Sequence, residues 1–492
     1  MKTVHNLTLI FFLVTMTAQG QNELTQKEAM EDYTVLKNVL TKGHPGLYEY
    51  TASTEWDSLF LDFEARELPL VKNSNDLYKS LVKLTDHARD GHLIVIRPQM
   101  DSIPKLFPLI VKIINRKLYA DTDDFEIPVG SEIISINGIP GTTLRNRLLK
   151  YAPSDGYNTT KKDRQIEREL GILLLYELGA LDSYQVRYKT PDNQTFSTSI
   201  ESKPFASIGQ RFSKRHSYFL QYHNPEDSIA YLNNLTARKG PFVHVLDSLN
   251  TAIVTMNSFG VDATQFASCM KTIFKKLRRK RVKHLILDLR QNEGGYPENA
   301  IRAYSYIARD RFKQRESTSV ITSTLPEEAY SQNLINGYTY ESFFQTYYQD
   351  ATKQGNRWVL TNDENEPLMT PNKRRFKGKT YVLIGGRTFS AGSSFALFCK
   401  NQGVPLIGEE TGGGYHTHTG GYPILYTLPN SKMQILMSFV QIKRYIEDDS
   451  IMKGSGVPPD VTVPLTIDDL RNGVDSQLDY VLQQIANESG AH

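Results

Sequence analysis

The chain has two cysteines and two tryptophans in 492 residues. A pair of thiols gives no disulfide scaffold, so an apolar core rather than covalent staples must hold the fold. Cys269 and Cys399 both sit in apolar helical contexts, where free buried thiols are common, and a bridge between them stays open. An excess of charge is missing too: 57 basic against 54 acidic residues leave a formal +3, which says little about partners. The densest basic run, KKLRRKRVK at 275 to 283, has no aromatic platform beside it. It reads as the end of an amphipathic helix, where cations complement the carbonyl end of the dipole, and not as a nucleic-acid site. Beyond the first twenty residues no apolar run approaches the roughly 20 residues that cross a bilayer, so a mature chain without a transmembrane segment is expected. There is no internal repeat, and no G-x-S-x-G, which argues against an α/β-hydrolase.

What is present is ordinary in bulk, 39% apolar and 23% charged, as in a folded globular protein. Residues 1 to 20, MKTVHNLTLIFFLVTMTAQG, combine an early lysine, an apolar centre and small residues before Gly20. That is a secretory signal pattern and predicts an exported, periplasmic or extracellular, protein. Residues 21 to 100 show apolar spacing of three and four in KEAMEDYTVLKNVL and SNDLYKSLVKL, a helical region that ends in a strand after ARDGH. Residues 101 to 205 change to short strands, with YQVRYKT and QTFSTSI paired about an Asp-Asn turn and a helix over KKDRQIERELGILLLYELGA. Strands and helices then alternate from 206 to 475, which argues for a mainly parallel α/β sheet. A polar, tyrosine-rich stretch at 310 to 375 is expected as a lid-like insertion, and residues 476 to 492 as a C-terminal helix and tail.

YVLIGGRTFSAGSS brings Ser390 from a strand to the start of a helix, where free backbone N–H groups can hold an oxyanion, although serine is also an ordinary helix cap. DLRQNEGGYPENA at 288 to 300 puts Gly294 and Gly295 after a buried strand, where backbone can approach a reacting carbonyl. GEETGGGYHTHTGGYP at 408 to 423 supplies a second glycine-rich loop. His416 and His418 within it raise a metal reading through their H-x-H spacing, but no third ligand emerges, and they read as substrate-groove residues or rival bases. Ser80 and Lys83 form an isolated S-x-x-K without partner motifs.

In this order, D-L-R-x-N-x-G-G, the RTFSAGSS segment, GE-x-T and the closing GSGVPPDVTVP resemble the tail-specific, or C-terminal-processing, serine peptidases and their tricorn-like relatives. PVGSEIISINGIPGTTL at 128 to 144 resembles a PDZ domain. The resemblance implies a crotonase/ClpP-like α/β core, an N-terminal helical region and a PDZ-like β-rich insert that receives C-terminal or extended polypeptide segments. It implies Ser390 as nucleophile and the N–H groups of Ala391 with Gly295 or Gly294 as oxyanion hole, without metal or cofactor. The lysine base of the serine–lysine branch is missing, since Gly412, Gly413, Gly414 and Tyr415 stand where its G-K-G would be. Asp90-Gly91-His92 matches the D-G-H setting of the histidine branch, so His92 is the implied base. The glutamate that precedes the closing motif in that branch is replaced by Lys453, and its serine before the histidine by Gly91. Glu447, Asp448 and Asp449 are the nearby candidates for an orienting carboxylate. The implied function is an exported serine endopeptidase acting on unfolded or tail-exposed polypeptides. An inactive peptide- or ligand-binding relative and a small-molecule esterase or amidase are the alternatives.

Overall fold

The computed structural model describes residues 23–96, 104–122, 126–208, 241–332, 339–361 and 368–490; the leader expected at 1 to 20 lies outside them. A six-stranded sheet runs in the order Val461–Thr462, Leu406–Gly408, Lys379–Ile384, His284–Asp288, Thr251–Thr255, Phe242–Leu246. All neighbours are parallel except the last pair, an antiparallel hairpin. Alternation along these strands splits their side chains between two faces. Ala252, Val254, Leu285, Leu287, Val382 and Ile384 meet the helices Ala263–Arg279, Pro297–Ser305 and Ala391–Asn401. Ile253, Ile286, Leu383 and Ile407 meet Leu478, Val481 and Ile485 of the C-terminal helix Ser476–Gly490. Both faces are covered, so the strands read as nearly unbroken apolar runs, as buried parallel strands do. The basic run is the end of the helix Ala263–Arg279, with Lys276, Arg278 and Arg279 in its last turn.

The insert forms an antiparallel sheet with Val111–Ile114 at one edge, followed by Lys117–Ala120, Glu132–Ile136, Ser183–Lys189 and Thr195–Glu201. The helix Thr160–Leu178 lies along that edge. Gly171 permits the approach: a Cβ there would stand 2.6 Å from the carbonyl oxygen of Phe107.

The N-terminal helices Gln26–Gly43, Ser53–Asp62 and Ser74–Thr85 share one apolar core with the insert and with strands from the C-terminal half. Thr25 and Glu28 close the first helix with a reciprocal capping box. The decisive pairing is between Ile94–Ile96 and Gln434–Ser438, with Ile94 opposite Leu436. It ties the strand just after His92 to the distal half of the chain. Within the 310 to 375 stretch, Arg315–Val320 lies between Arg357–Thr361 and Gln441–Arg444, and Ser331–Gln332 pairs with Pro423–Thr427. Cys269 and Cys399 are free thiols. Lys83 of the isolated S-x-x-K pairs with Glu67 at the surface.

Candidate active site

Three loops at the carboxyl ends of adjacent parallel strands converge. They follow Asp288, Ile384 and Gly408. The second carries Ser390 at the N-cap of Ala391–Asn401 with φ 50° and ψ −123°. A non-glycine residue held there is strained, and such strain persists only where the surroundings over-determine it. Asn292, fully buried, is the strut: its Nδ2 donates to Met256 O at 2.8 Å, and its backbone oxygen accepts from Phe389 N at 2.9 Å.

Of the two glycines, Gly294 donates its N–H to Asn292 Oδ1 at 2.9 Å. Gly295 has φ 131° and lies against Phe259–Gly260, where a Cβ would run into backbone. The N–H groups of Gly295 and Ala391 meet no acceptor among the described residues. Gly294 therefore shapes the loop, while Gly295 and Ala391 present the available donors.

His92 arrives from the N-terminal region with Nε2 3.2 Å from Ser390 Oγ. Phe389 lies on its ring at a centroid separation of 4.7 Å. The same phenylalanine explains Gly91, because a Cβ there would come within 2.5 Å of Phe389 Cζ. The sequence departure at Gly91 is thus a steric fit.

Two carboxylates stand beside His92. Asp90 Oδ1 is 3.9 Å from His92 Nδ1 and accepts the His92 backbone N–H at 2.7 Å. The Thr419 hydroxyl reaches Asp90 Oδ2 at 2.7 Å, and His44 Nε2 reaches it at 2.9 Å. Gly46 N–H donates to His44 Nδ1 at 3.1 Å, which leaves the Nε2 proton of His44 for Asp90. Burial pushes the Asp90 carboxyl up. The His44 hydrogen bond, the charge His92 carries when protonated and the Thr419 hydroxyl outweigh that effect and hold it well below the carboxylate range. Asp155 accepts from Gly91 N at 2.7 Å and from Gly414 N at 2.9 Å. Its burial raises its pKa, while His92 and those two N–H groups pull it back. Asp90, His92 and Asp155 offer ligand atoms within 4.8 Å of one another, enough to seat a cation. The carboxylate oxygens, however, already accept protein donors.

Glu447, Asp448 and Asp449 lie on an exposed turn. Glu447 accepts from Tyr445 Oη at 2.6 Å, and Asp448 from the Ser450 hydroxyl at 2.6 Å. The carboxylates next to His92 are instead Asp90 and Asp155. Lys453 turns to Glu49, with Nζ 2.8 Å from Oε1. His418 has its ring centroid 5.7 Å from that of His92 and its Nδ1 2.6 Å from Thr419 O. Burial, the Arg444 charge and His92 keep its pKa well below the ordinary histidine value. His416 precedes the strand Thr417–Thr419 and packs on Tyr415, so the two histidines serve different neighbours.

Sequence reasoning missed His44 and Asp155, and quoted Asp90 without giving it a role. HPGLY and SDG read locally as turns, and nothing in either stretch announces a partner so distant in sequence.

Residues 250–463 match the model of peptidase family S41. The structure of mature CPAF complexed with lactacystin is similar at a TM-score of 0.65 and 15% identity, covering 94% of this chain and 99% of that one. Mature CPAF alone gives the same TM-score and identity, with 94% and 98% covered. A search of curated protein sequences found no match. The mixed α/β fold, with helices and several sheets, is that of these CPAF structures. Residues 250–463 form a peptidase family S41 domain, and the chain that carries it is a serine-type hydrolase.

Proposed function

We propose that the protein is an exported endopeptidase that cleaves unfolded or tail-exposed polypeptides through Ser390 and His92. The observation that carries the reading is the 3.2 Å approach of His92 Nε2 to Ser390 Oγ, beside two N–H donors that meet no acceptor among the described residues. Ser390 Oγ attacks the peptide carbonyl as its proton passes to His92 Nε2. The oxyanion is held by Ala391 and Gly295 N–H, and His92 then protonates the leaving amine. Water, deprotonated by the same ring, hydrolyses the acyl-enzyme. Asp90, held ionised, stabilises the imidazolium, and Asp155 fixes the loops on either side of the ring.

Lys453 at the expected acid position favours a non-catalytic binding relative, and the two other carboxylates at the ring weigh against that alternative. Peptide addition to the insert is disfavoured at rest, because Ile113 of the edge strand already donates its N–H to Glu167 Oε1 at 2.7 Å and accepts from Arg164 Nη2 at 3.0 Å. We therefore read substrate entry as direct to the cleft. Export rests on the leader pattern, and N-terminal sequencing of protein secreted by an expressing host checks it: a start shortly after residue 20 is expected, and an intact Met1 overturns it.

The central test is intact-mass analysis after exposure to a fluorophosphonate. One adduct on the parent, abolished in Ser390→Ala and suppressed in His92→Ala, is the expected result. A folded parent that takes no adduct overturns the reading.

A further inference from the structure

Arg444 ends the strand Gln441–Arg444 and is 2% exposed. Its Nη2 donates to Ser393 Oγ at 2.7 Å. That hydroxyl in turn donates to the backbone oxygen of Ser390 at 2.8 Å. Among the described residues Nε and Nη1 of Arg444 meet no acceptor, and no carboxylate pairs with the guanidinium. A buried charge is ordinarily paired, because water no longer screens it. This one faces the serine helix, with the carboxylate of Asp155 and the phenol of Tyr50 acting on it only from a distance. Burial lowers its pKa to about 10, which still leaves it a cation at neutral pH.

The surroundings fit one task. Gly413 lies against Ser393, where a Cβ would stand 2.1 Å from the hydroxyl, so glycine there leaves the room in which that hydroxyl meets its two partners. The Ser390 carbonyl also accepts from Ser394 N at 3.0 Å. Ser393 is thus a relay between a buried cation and the peptide group that holds the strained φ and ψ of Ser390.

We propose that Arg444 is a positioning residue for Ser390: through Ser393 it fixes the nucleophile's carbonyl, and its unneutralised charge favours the negative charge that develops as Ser390 acylates. This rests on the reading of Ser390 as nucleophile. Arg444 touches no reacting atom, so its effect belongs in the chemical step and not in ligand binding.

The test measures kinact and KI for a fluorophosphonate by intact mass on the parent, Ser393→Ala, Arg444→Lys, Arg444→Gln and the Ser393→Ala/Arg444→Gln pair, each shown folded by near-ultraviolet circular dichroism. Removing an electrostatic donor at a serine site costs on the order of 100-fold. We expect that loss in kinact for Arg444→Gln, about tenfold for Arg444→Lys and for Ser393→Ala, and unchanged KI throughout. The double variant is expected to match Arg444→Gln, because the two residues act in series. Parental kinact in Ser393→Ala, or a double variant equal to the product of the singles, overturns the proposal. Should Arg444→Gln not fold, Ser393→Ala and Arg444→Lys decide alone. A parent without any adduct overturns the nucleophile assignment itself, a result distinct from parental rates in the variants.

Discussion

The cleft and the insert treat exposed backbone in opposite ways. At the ends of the parallel strands, Gly295 and Ala391 keep N–H groups that meet no acceptor among the described residues, and Ser390 keeps a positive φ. At the edge of the insert sheet, the N–H and C=O of Ile113, which any added strand would seek, are covered by Glu167 and Arg164. Unpaired polar groups carry a free-energy cost and open sheet edges invite pairing, so a fold caps them unless they have work to do. On the proposed reading, the difference separates a surface prepared for a reacting carbonyl from a sheet edge covered at rest.

The most severe way to break the prepared side is to remove its fixed charge. Asp90→Asn leaves size and most contacts but removes the carboxylate held ionised beside His92, and a fall in fluorophosphonate labelling of about 1,000-fold is expected, in line with the loss of an orienting carboxylate elsewhere. A rate within tenfold of the parent would remove Asp90 from the mechanism. The same substitution tests stability. The folded pKa of Asp90 lies below its unfolded value, so its contribution is present above about pH 4 and lost as pH falls through the folded value. Melting temperature of the parent should therefore drop on acidification below about pH 4, and that of Asp90→Asn should drop less.

The closed side is broken by Arg164→Ala with Glu167→Ala, which frees Ile113. Affinity for a labelled peptide with an apolar C-terminus should rise by about tenfold or more, equivalent to about 1.4 kcal/mol, in fluorescence anisotropy. Equal binding by parent and variant would mean that the clamp does not gate the edge.

Lys161 joins the two regions. It belongs to the helix along the insert edge, yet its Nζ sits 4.7 Å from the Phe389 ring centroid and donates to Pro153 O. Burial lowers its pKa to about 8. The unfolded chain then holds this proton to higher pH than the folded one, so stability should rise between about pH 8 and 10. Lys161→Met should flatten that rise in denaturant titrations, and an unaltered slope would rule Lys161 out as its source. The smallest effect is expected from Lys453→Glu. The exposed Lys453–Glu49 pair contributes about 1 kcal/mol or less. Labelling should stay within about threefold of the parent, since Asp90 already supplies the charge. A large gain in rate would instead show that Asp90 is a poor substitute for a carboxylate at 453.

Local order in the sequence determined much of this protein. Short unbroken apolar runs such as HLILD and AIVTM prescribed the buried strands, and the glycine-rich loops after them marked where backbone donors would converge. The D-G-H, RTFSAGSS and NEGG stretches named the residues that now lie together. What only the tertiary structure decided is who supports them. Asp155 sits in a turn, His44 in a helix break and Arg444 at a strand end, and each acts on a residue dozens to hundreds of positions away. Glu447, Asp448 and Asp449 looked suitable because they are close in sequence to the closing motif, yet their side chains find solvent and local partners. Sequence periodicity encodes which face of an element is buried, whereas a hydrogen bond between loops depends on how whole layers dock. The pairing of Ile94–Ile96 with Gln434–Ser438 fixes that docking, and with it the distance between His92 and Ser390.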